Sequence, residues 1–265
     1  MPVRTPSETL QAAINAGCSK AAATSRSGFS RLILGSILAG AYIALGGALS
    51  LAVGSGFPEI AAANPGIQKL LSGLVFPVGL MLVVVLGADL FTGNNALLVP
   101  PVFERRLSAS KMLANWLIVW CFNFVGALAV AYFLIYVPGT LAAGTYTEAI
   151  AKIAVAKTSM GFWPVLLKGI GANWCVCLAV WLALSGRRLG EKLLACEIPV
   201  FAFVALGFEH CVANMFFIPL AMMQGAPVGI YDLFVANLLP ATIGNIVGGA
   251  LFVGAVQWYM CRQRP

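Results

Sequence analysis

Six long runs of apolar residues divide the chain, and most polar residues lie between these runs. The runs cover residues 32–54, 70–88, 112–137, 160–184, 193–223 and 233–260. Each is close to or longer than the roughly 20 residues with which an α-helix crosses the hydrocarbon core of a bilayer. The pattern therefore predicts an all-α integral membrane protein with six transmembrane helices.

The composition supports lipid as the main solvent. Of the 265 residues, 60% are hydrophobic and only 9% are charged, which is more apolar surface than a soluble core of this size can bury. The formal net charge of +7 could suggest a nucleic acid as partner. However, the basic residues are scattered between the apolar runs and no aromatic-basic module accompanies them, so no nucleic-acid partner is expected.

The basic residues predict the orientation in the membrane. Twelve of the 16 lie before the first run or after the second, fourth and sixth runs, so alternate loops share one side. The positive-inside rule places that side, with both termini, in the cytoplasm. No apolar signal-peptide core occurs in the first thirty residues, and we expect a multi-pass protein of a prokaryotic inner membrane.

The chain divides into a cytoplasmic N-terminal amphipathic segment (1–30), one six-helix domain (31–260) and a cytoplasmic tail (261–265). Thr5-Pro6-Ser7-Glu8 is typical of a helix start, with an N-cap, a proline in the first turn and a capping-box glutamate. Leu10, Ala13, Ile14 and Gly17 share one face of that helix, as in a helix lying at the membrane surface. A loosely ordered tail is the alternative.

An internal repeat appears when the chain is shifted against itself by about 120 residues. The matched positions are Gly87-x-Asp89 with Gly207-x-Glu209, Asn94 with Asn214, Asn115 with Asn237, and Asn123 with Asn245. Each half then contains three spans. Because three is odd, the second half enters from the opposite side, which predicts inverted repeats with interrupted helices 2 and 5 that line a pathway.

The two interruptions carry the candidate chemistry. Gly87–Asn95 and Gly207–Asn214 place acids, amides and a hydroxyl in the middle of apolar spans, where polar groups survive only inside the protein or against water. The second interruption contains His210, the only histidine of the chain, next to Glu209. We interpret His210 as functional, and Glu209, like its match Asp89, as capping the broken helix or pairing across subunits.

A third polar position lies in the fourth run. Asn173 is a carboxamide in an otherwise apolar helix, and we expect it to bond the His210 imidazole or a permeating solute. A simple contact between two helices is the alternative for this residue.

Three segments together resemble the formate/nitrite transporter family. They are Asp89-Leu90-Phe91-Thr92-Gly93-Asn94, Ala172-Asn173-Trp174-Cys175-Val176-Cys177-Leu178-Ala179-Val180-Trp181 and Gly207-Phe208-Glu209-His210-Cys211-Val212-Ala213-Asn214-Met215. The similarity runs from about residue 8 to residue 260. It implies an aquaporin-like fold and a homopentamer with one pore through each protomer.

The resemblance also implies roles for individual residues. His210 would be the central pore residue, with Thr92 and Asn173 as polar partners, Lys157 near the periplasmic vestibule, and Glu209 and Asn214 in support. Apolar constrictions would lie at Phe76 and Phe203 toward the periplasm and at Leu80, Leu90 and Phe91 toward the cytoplasm.

The function implied is a channel or transporter for a small monovalent weak-acid anion, formate first, linked to a proton through His210. Nitrite and hydrosulfide stay open, because Gly93-Asn94-Asn95 follows Thr92 where formate channels carry small hydroxylated and apolar residues. A neutral-solute pore is the alternative class, although the paired Asn-Pro-Ala motifs of such pores are absent.

An enzyme and a cofactor protein are not expected. His210, Cys211 and Glu209 are adjacent in sequence and do not face one another on a helix, so they make a poor nucleophilic set. The seven cysteines include no C-x-x-C pair, and most lie in apolar runs, so we interpret them as core residues and predict no cofactor or metal.

Overall fold

The computed structural model describes residues 3–24 and 28–262, and all regular structure in these two ranges is helical. The all-α prediction is therefore confirmed. Parts of the predicted N-terminal segment and tail, residues 1–2, 25–27 and 263–265, lie outside the described residues.

Fourteen α-helices form in the described part of the chain. They are α1 (Pro6–Ala22), α2 (Phe29–Gly54), α3 (Pro58–Ala63), α4 (Pro65–Val75), α5 (Val78–Leu86), α6 (Phe91–Leu97), α7 (Val99–Phe103), α8 (Ala109–Ala129), α9 (Gly144–Thr158), α10 (Phe162–Ser185), α11 (Leu189–Ala205), α12 (Cys211–Met223), α13 (Leu239–Ile246) and α14 (Val256–Cys261). Wider π-helical turns at Val130–Tyr136, Asp232–Leu238 and Val247–Ala255 continue α8 and flank α13.

Within the described residues, five continuous helical stretches are long and apolar enough to cross a membrane. They are Phe29–Gly54, Pro65–Leu86, Ala109–Tyr136, Phe162–Ser185 and Asp232–Cys261. The predicted fifth run, 193–223, is instead divided between α11 and α12, and the 13 residues of α12 are apolar but too few to span alone.

Both helix breaks have the same backbone geometry. Gly87 and Gly207 adopt left-handed conformations, with φ of 74° and 67°, which a residue without a Cβ atom reaches at little cost. The chain then runs extended to Leu90 (φ −99°, ψ 126°) and His210 (φ −107°, ψ 112°) before a new helix begins. The irregular segments are shorter than the sequence suggested, since the polar residues from Thr92 onward lie on α6.

Asn123 satisfies the backbone at the first break. Its Oδ1 accepts the N–H of Phe91 at 2.8 Å, the donor that opens α6. Its Nδ2 donates to the carbonyl of Ser36 on α2 at 2.7 Å and to the carbonyl of Asp89 at 2.9 Å. One carboxamide therefore joins the broken segment to two continuous helices, α2 and α8.

Asn245 makes the same contacts at the second break. Its Oδ1 accepts the N–H of Cys211 at 2.9 Å, and its Nδ2 donates to the carbonyls of Gly169 at 2.8 Å and Glu209 at 2.9 Å. An amide can accept and donate at once, which no charged or apolar side chain does. This explains why an asparagine stands at both positions.

The N-terminal segment forms the capped helix α1. Thr5 Oγ1 accepts the N–H of Glu8 at 3.3 Å, and the Glu8 carboxylate accepts the N–H of Thr5 at 2.7 Å. Thr5 Oγ1 also donates to the Glu8 carboxylate at 3.1 Å. The two bonds that the carboxylate accepts, first the one from the Thr5 backbone N–H, hold the pKa of Glu8 below its usual value. The face of Leu10, Ala13 and Ile14 is buried in the helical body, so the ordered helix and not the loose tail describes these residues.

Side-chain contacts identify two ends of the helical body. At one, the α1 end, Arg187 pairs with Glu8 at 3.5 Å and Trp258 donates to Glu104 at 2.6 Å. At the other, the α9 end, Tyr146 donates to the carbonyl of Ala52 at 3.3 Å. Four segments are rich in Lys and Arg, one before the first apolar run and one after each of the second, fourth and sixth runs. These contacts show that their described parts share the α1 end.

We predict that Asn123→Ala lowers the thermal stability of the purified protein far more than a surface change does. The substitution leaves one buried N–H and two carbonyls at a helix break without their partner, at a cost of about 1–3 kcal/mol for each group left unsatisfied. Thermal unfolding in detergent measures the effect. Asn15→Ala, at an exposed position of α1, is the matched control, and equal melting temperatures for both variants would contradict the assignment.

Candidate functional site

His210 and Thr92 meet where the two broken helices begin again. Thr92 Oγ1 lies 3.0 Å from His210 Nε2, and the two residues are 0% and 2% exposed. His210 is also the N-cap of α12, because its Nδ1 accepts the N–H of Ala213 at 3.1 Å. With Nδ1 occupied as an acceptor, the neutral ring carries its proton on Nε2 and donates it to Thr92.

Two cavities enter the helical body from opposite ends, and one of them reaches His210. The Leu90 cavity, about 150 Å³, opens at the α1 end. Its lining includes Lys20, Val83, Leu90, Gly93, Asn94 and Lys192. The His210 cavity, about 240 Å³, opens at the α9 end. Its lining includes Lys69, Phe76, Lys157, Phe203, His210 and Asn214.

Aromatic and aliphatic side chains lie close to this contact or to the cavities. Phe76 and Phe203 pack edge to face with ring centroids 5.7 Å apart, and Phe203 stacks on His210 at 5.8 Å. Both phenylalanines line the His210 cavity, whereas Leu90 lines the other one. Leu80 and Phe91 are buried and line neither of these two cavities.

Glu209 is the centre of a buried ion-pair network. Its carboxylate accepts Lys157 Nζ at 3.0 Å, Asn214 Nδ2 at 2.7 Å and Asn237 Nδ2 at 3.1 Å. A buried carboxylate is tolerated when a cation and further donors surround it, which is the case here. Glu209, Asn214 and Lys157 are therefore members of one hydrogen-bonded network, in which Lys157 supplies the positive charge.

Asp89 forms the matching ion pair at the other break, next to a chain of amide hydrogen bonds. It accepts Lys20 Nζ at 2.7 Å, so its partner lies on α1 of the same chain. Asn94 donates to Asn115 at 3.0 Å, and Asn115 donates to the carbonyl of Lys20 at 3.2 Å. Asn214, Asn237 and the carbonyl of Lys157 form the matching chain, with bonds of 2.7 Å and 2.9 Å.

Lys20 is the functional-site residue that the sequence analysis missed. It was counted only as a charge that sets the orientation, although it corresponds to Lys157. The offset between the two lysines exceeds the offset between the two acids, in part because α3 has no counterpart between α10 and α11. A self-comparison that allowed a gap would have found the pair.

Asn173 does not contact His210 in the part of the chain that the structure describes. Its Nδ2 donates to the carbonyl of Thr92 at 3.2 Å, to Asn95 Oδ1 at 3.1 Å and to the carbonyl of Asn245 at 2.6 Å. It is fully buried and lines neither cavity. Asn173 therefore does not form the expected bond to the imidazole. Instead it holds the start of α6 through the carbonyl of Thr92.

The whole chain matches a known family. The model for the formate/nitrite transporter family covers residues 7–259. The chain belongs to the formate/nitrite transporter family. The resemblance drawn from three segments is thereby confirmed, and since this is a family of transporters, the protein is a membrane transporter and not an enzyme.

Individual members of the formate/nitrite transporter family show how far the similarity extends. A probable formate transporter of Methanothermobacter thermautotrophicus is 42% identical over 247 residues, 86% of this chain and 88% of that protein. A solved ion channel of the family has a TM-score of 0.82 and 32% identity, with 96% of this chain and 98% of that one covered. A pentameric formate channel with formate bound has a TM-score of 0.78 and 30% identity, with 89% and 98% covered.

We predict that Lys157 and Glu209 are strongly coupled in stability. Lys157→Met leaves an unpaired carboxylate in a buried site and should destabilise the protein by about 3–5 kcal/mol, whereas Lys157→Met combined with Glu209→Gln should recover part of the loss. Thermal unfolding of the two single variants and the double variant in detergent measures the coupling. Additive losses would show that the 3.0 Å contact does not join the two residues energetically.

Proposed function

We propose that this protein is a channel for a small monovalent weak-acid anion, and that formate is its substrate. A relative that aligns with 86% of this chain is named as a probable formate transporter, and a solved formate channel has the same fold. Further support comes from the two cavities, one lined by Leu90 and Gly93, which flank Thr92 in sequence, and the other lined by His210, which bonds to Thr92.

We propose six transmembrane segments arranged as two inverted, aquaporin-like repeats. The second segment would be Pro65–Leu86 with α6, and the fifth α11 with α12, each broken at its left-handed glycine. The paired contacts of Asn123 and Asn245 support the repeat. By analogy with the pentameric relative, five copies would assemble, with one pore in each.

The orientation follows from charge. Since loops rich in Lys and Arg share the α1 end, that end would face the cytoplasm and the α9 end the periplasm of an inner membrane. The Leu90 cavity is then the cytoplasmic entrance and the His210 cavity the periplasmic one. Within this proposal, residues 31–260 form the channel domain.

The proposed mechanism follows from the cost of desolvation. A bare anion loses most of its hydration between Phe76 and Phe203, whereas its neutral conjugate acid loses far less. Thr92 and His210 replace part of the lost water with a hydroxyl and an N–H. Passage would thus require that the anion either binds these donors or takes up a proton before it crosses.

The hydrogen bonds of His210 constrain how it takes part. While Nδ1 caps α12, the ring holds one proton and can offer it only as a hydrogen bond, because a neutral imidazole does not give up its N–H. To act as an acid, His210 must first gain a second proton at Nδ1, and the bond from Ala213 must open. Proton linkage in this channel would therefore be coupled to the start of α12.

Nitrite and hydrosulfide are the alternatives to formate. Gly93 and Asn94, in the run where the chain departs from formate channels, line the Leu90 cavity and would meet the solute. Both alternatives are monovalent anions of weak acids, so the mechanism would be unchanged.

We expect proteoliposomes containing the protein to take up formate well above empty liposomes in stopped-flow assays, and faster at lower external pH, where more of the conjugate acid is present. Nitrite, hydrosulfide and glycerol are measured with the same preparation. Flux of nitrite or hydrosulfide without formate would change the substrate but keep the mechanism. Flux of glycerol alone would overturn the proposal.

We predict that His210→Asn folds but loses the part of the pH dependence of uptake that remains after the rate is corrected for the concentration of formic acid at each pH. An asparagine side chain is a good N-cap and can accept the N–H of Ala213, but it takes up no proton between pH 5 and 8. The readout is the uptake rate over that range, divided by the amount of reconstituted protein. The melting temperature of the variant shows whether it is folded. A wild-type pH profile in this variant would exclude the role assigned to His210.

A further inference from the structure

Four lysines line the two cavities, and they differ in whether a carboxylate offsets their charge. Lys157 lies 3.0 Å from Glu209 and Lys20 lies 2.7 Å from Asp89. At distances larger than their separation, such pairs act as dipoles, whose potential falls faster than that of a single charge. At long range, Lys157 and Lys20 therefore contribute less to the field that an approaching anion meets than an unpaired lysine does.

Lys69 and Lys192 are different. Lys69 is exposed on α4 and lines the His210 cavity, and Lys192 is partly exposed on α11 and lines the Leu90 cavity. Across the described ranges 3–24 and 28–262, neither forms an ion pair with an acidic side chain. Each cavity thus holds one neutralised lysine close to the helix break and one uncompensated lysine.

The two uncompensated lysines occupy related places. Each lies on the helical segment that leads into a break, and each comes before the left-handed glycine, Gly87 or Gly207. With the offset of 120 residues between Asp89 and Glu209, Lys69 falls three residues from the match of Lys192, about one helical turn away along the same face. The positive charge is therefore placed at both entrances in the same manner.

We propose that Lys69 and Lys192 are the residues that attract the anion into the two entrances, whereas Lys157 and Lys20 serve the helix breaks. This inference rests on the proposed function, because it assigns the charges that raise the local anion concentration for that channel. A single uncompensated charge in a cavity with low-dielectric walls increases the encounter rate of an oppositely charged solute, and salt suppresses the effect.

The test uses double variants, because reconstitution leaves the protein in both orientations. Lys69→Gln with Lys192→Gln removes the charge from whichever entrance faces outward, and Lys69→Glu with Lys192→Glu reverses it. For a charge about 10 Å from the path, we expect initial formate uptake of about one half of wild type for the first variant and about one quarter for the second at low ionic strength. Uptake is compared at about 10 mM and about 300 mM salt, where the differences should shrink.

Two controls separate this effect from a general change in charge or stability. Lys152→Gln removes an exposed lysine that lines the neighbouring groove with Glu148, and it should leave uptake unchanged. Lys69→Arg with Lys192→Arg keeps both charges and should behave as wild type. Melting temperatures of all variants identify any that are misfolded.

The outcomes are distinct. A graded, salt-sensitive loss from Lys to Gln to Glu, with both controls at the wild-type rate, supports the inference. Equal rates and equal salt dependence in wild type and both double variants overturn it, as does an equal loss in Lys152→Gln. Wild-type protein that conducts none of the tested anions overturns the proposed function itself, and this inference with it.

Discussion

Unpaired backbone groups inside a lipid-facing helix are the constraint on which this structure depends. Each helix break leaves N–H and carbonyl groups without an intrahelical partner inside a membrane-spanning segment. Asn123 and Asn245 satisfy both kinds of group at once, from helices that are themselves unbroken at these points. Because the breaks are held there, Leu90 and His210 begin the new segments at fixed places, and the two cavities end between them.

The ion pairs stabilise the same breaks from the opposite side. Lys20 on α1 and Lys157 on α9 are delivered by helices that are too polar to span, and each reaches the acid that follows a left-handed glycine. This arrangement pairs each lysine charge with a carboxylate, and the polar groups at the central contact itself are the Thr92 hydroxyl and the His210 imidazole. Hydrogen-bond donors beside aromatic rings suit a solute that must shed water without being trapped.

The two halves share their frame but differ at the centre. His210 stands where the first half has Leu90, and Thr92 where the second has Val212. Asn173 also has no polar counterpart. In the first half, Gly40 lies so close to the Asn123 carbonyl that a Cβ would overlap it, whereas Asn173 in the second half inserts an amide that donates to the Asn245 carbonyl. The repeated frame thus supports a site that is not symmetric, because His210 and Thr92 each stand where the other half has an apolar residue.

The sequence by itself determined the helical membrane class, the family and the positions of both breaks. These depend on local properties: apolar length, glycine where φ must be positive, and asparagine and acid at matched spacing. The chemical types around the pathway were also legible, since polar residues at membrane depth are rare enough to stand out.

Only the tertiary structure decided which polar side chain meets which. The sequence indicates that Asn173 lies at membrane depth, but it does not identify the partners of its side chain. Several acceptors lie within one helical turn, and only the packing of α10 against α6 and α13 selects among them. Lys20 could not be linked to Asp89, since the two residues are far apart in sequence and joined only by the fold. Spacing along a chain specifies which face of a helix a residue occupies, whereas contacts between faces depend on how the helices pack together.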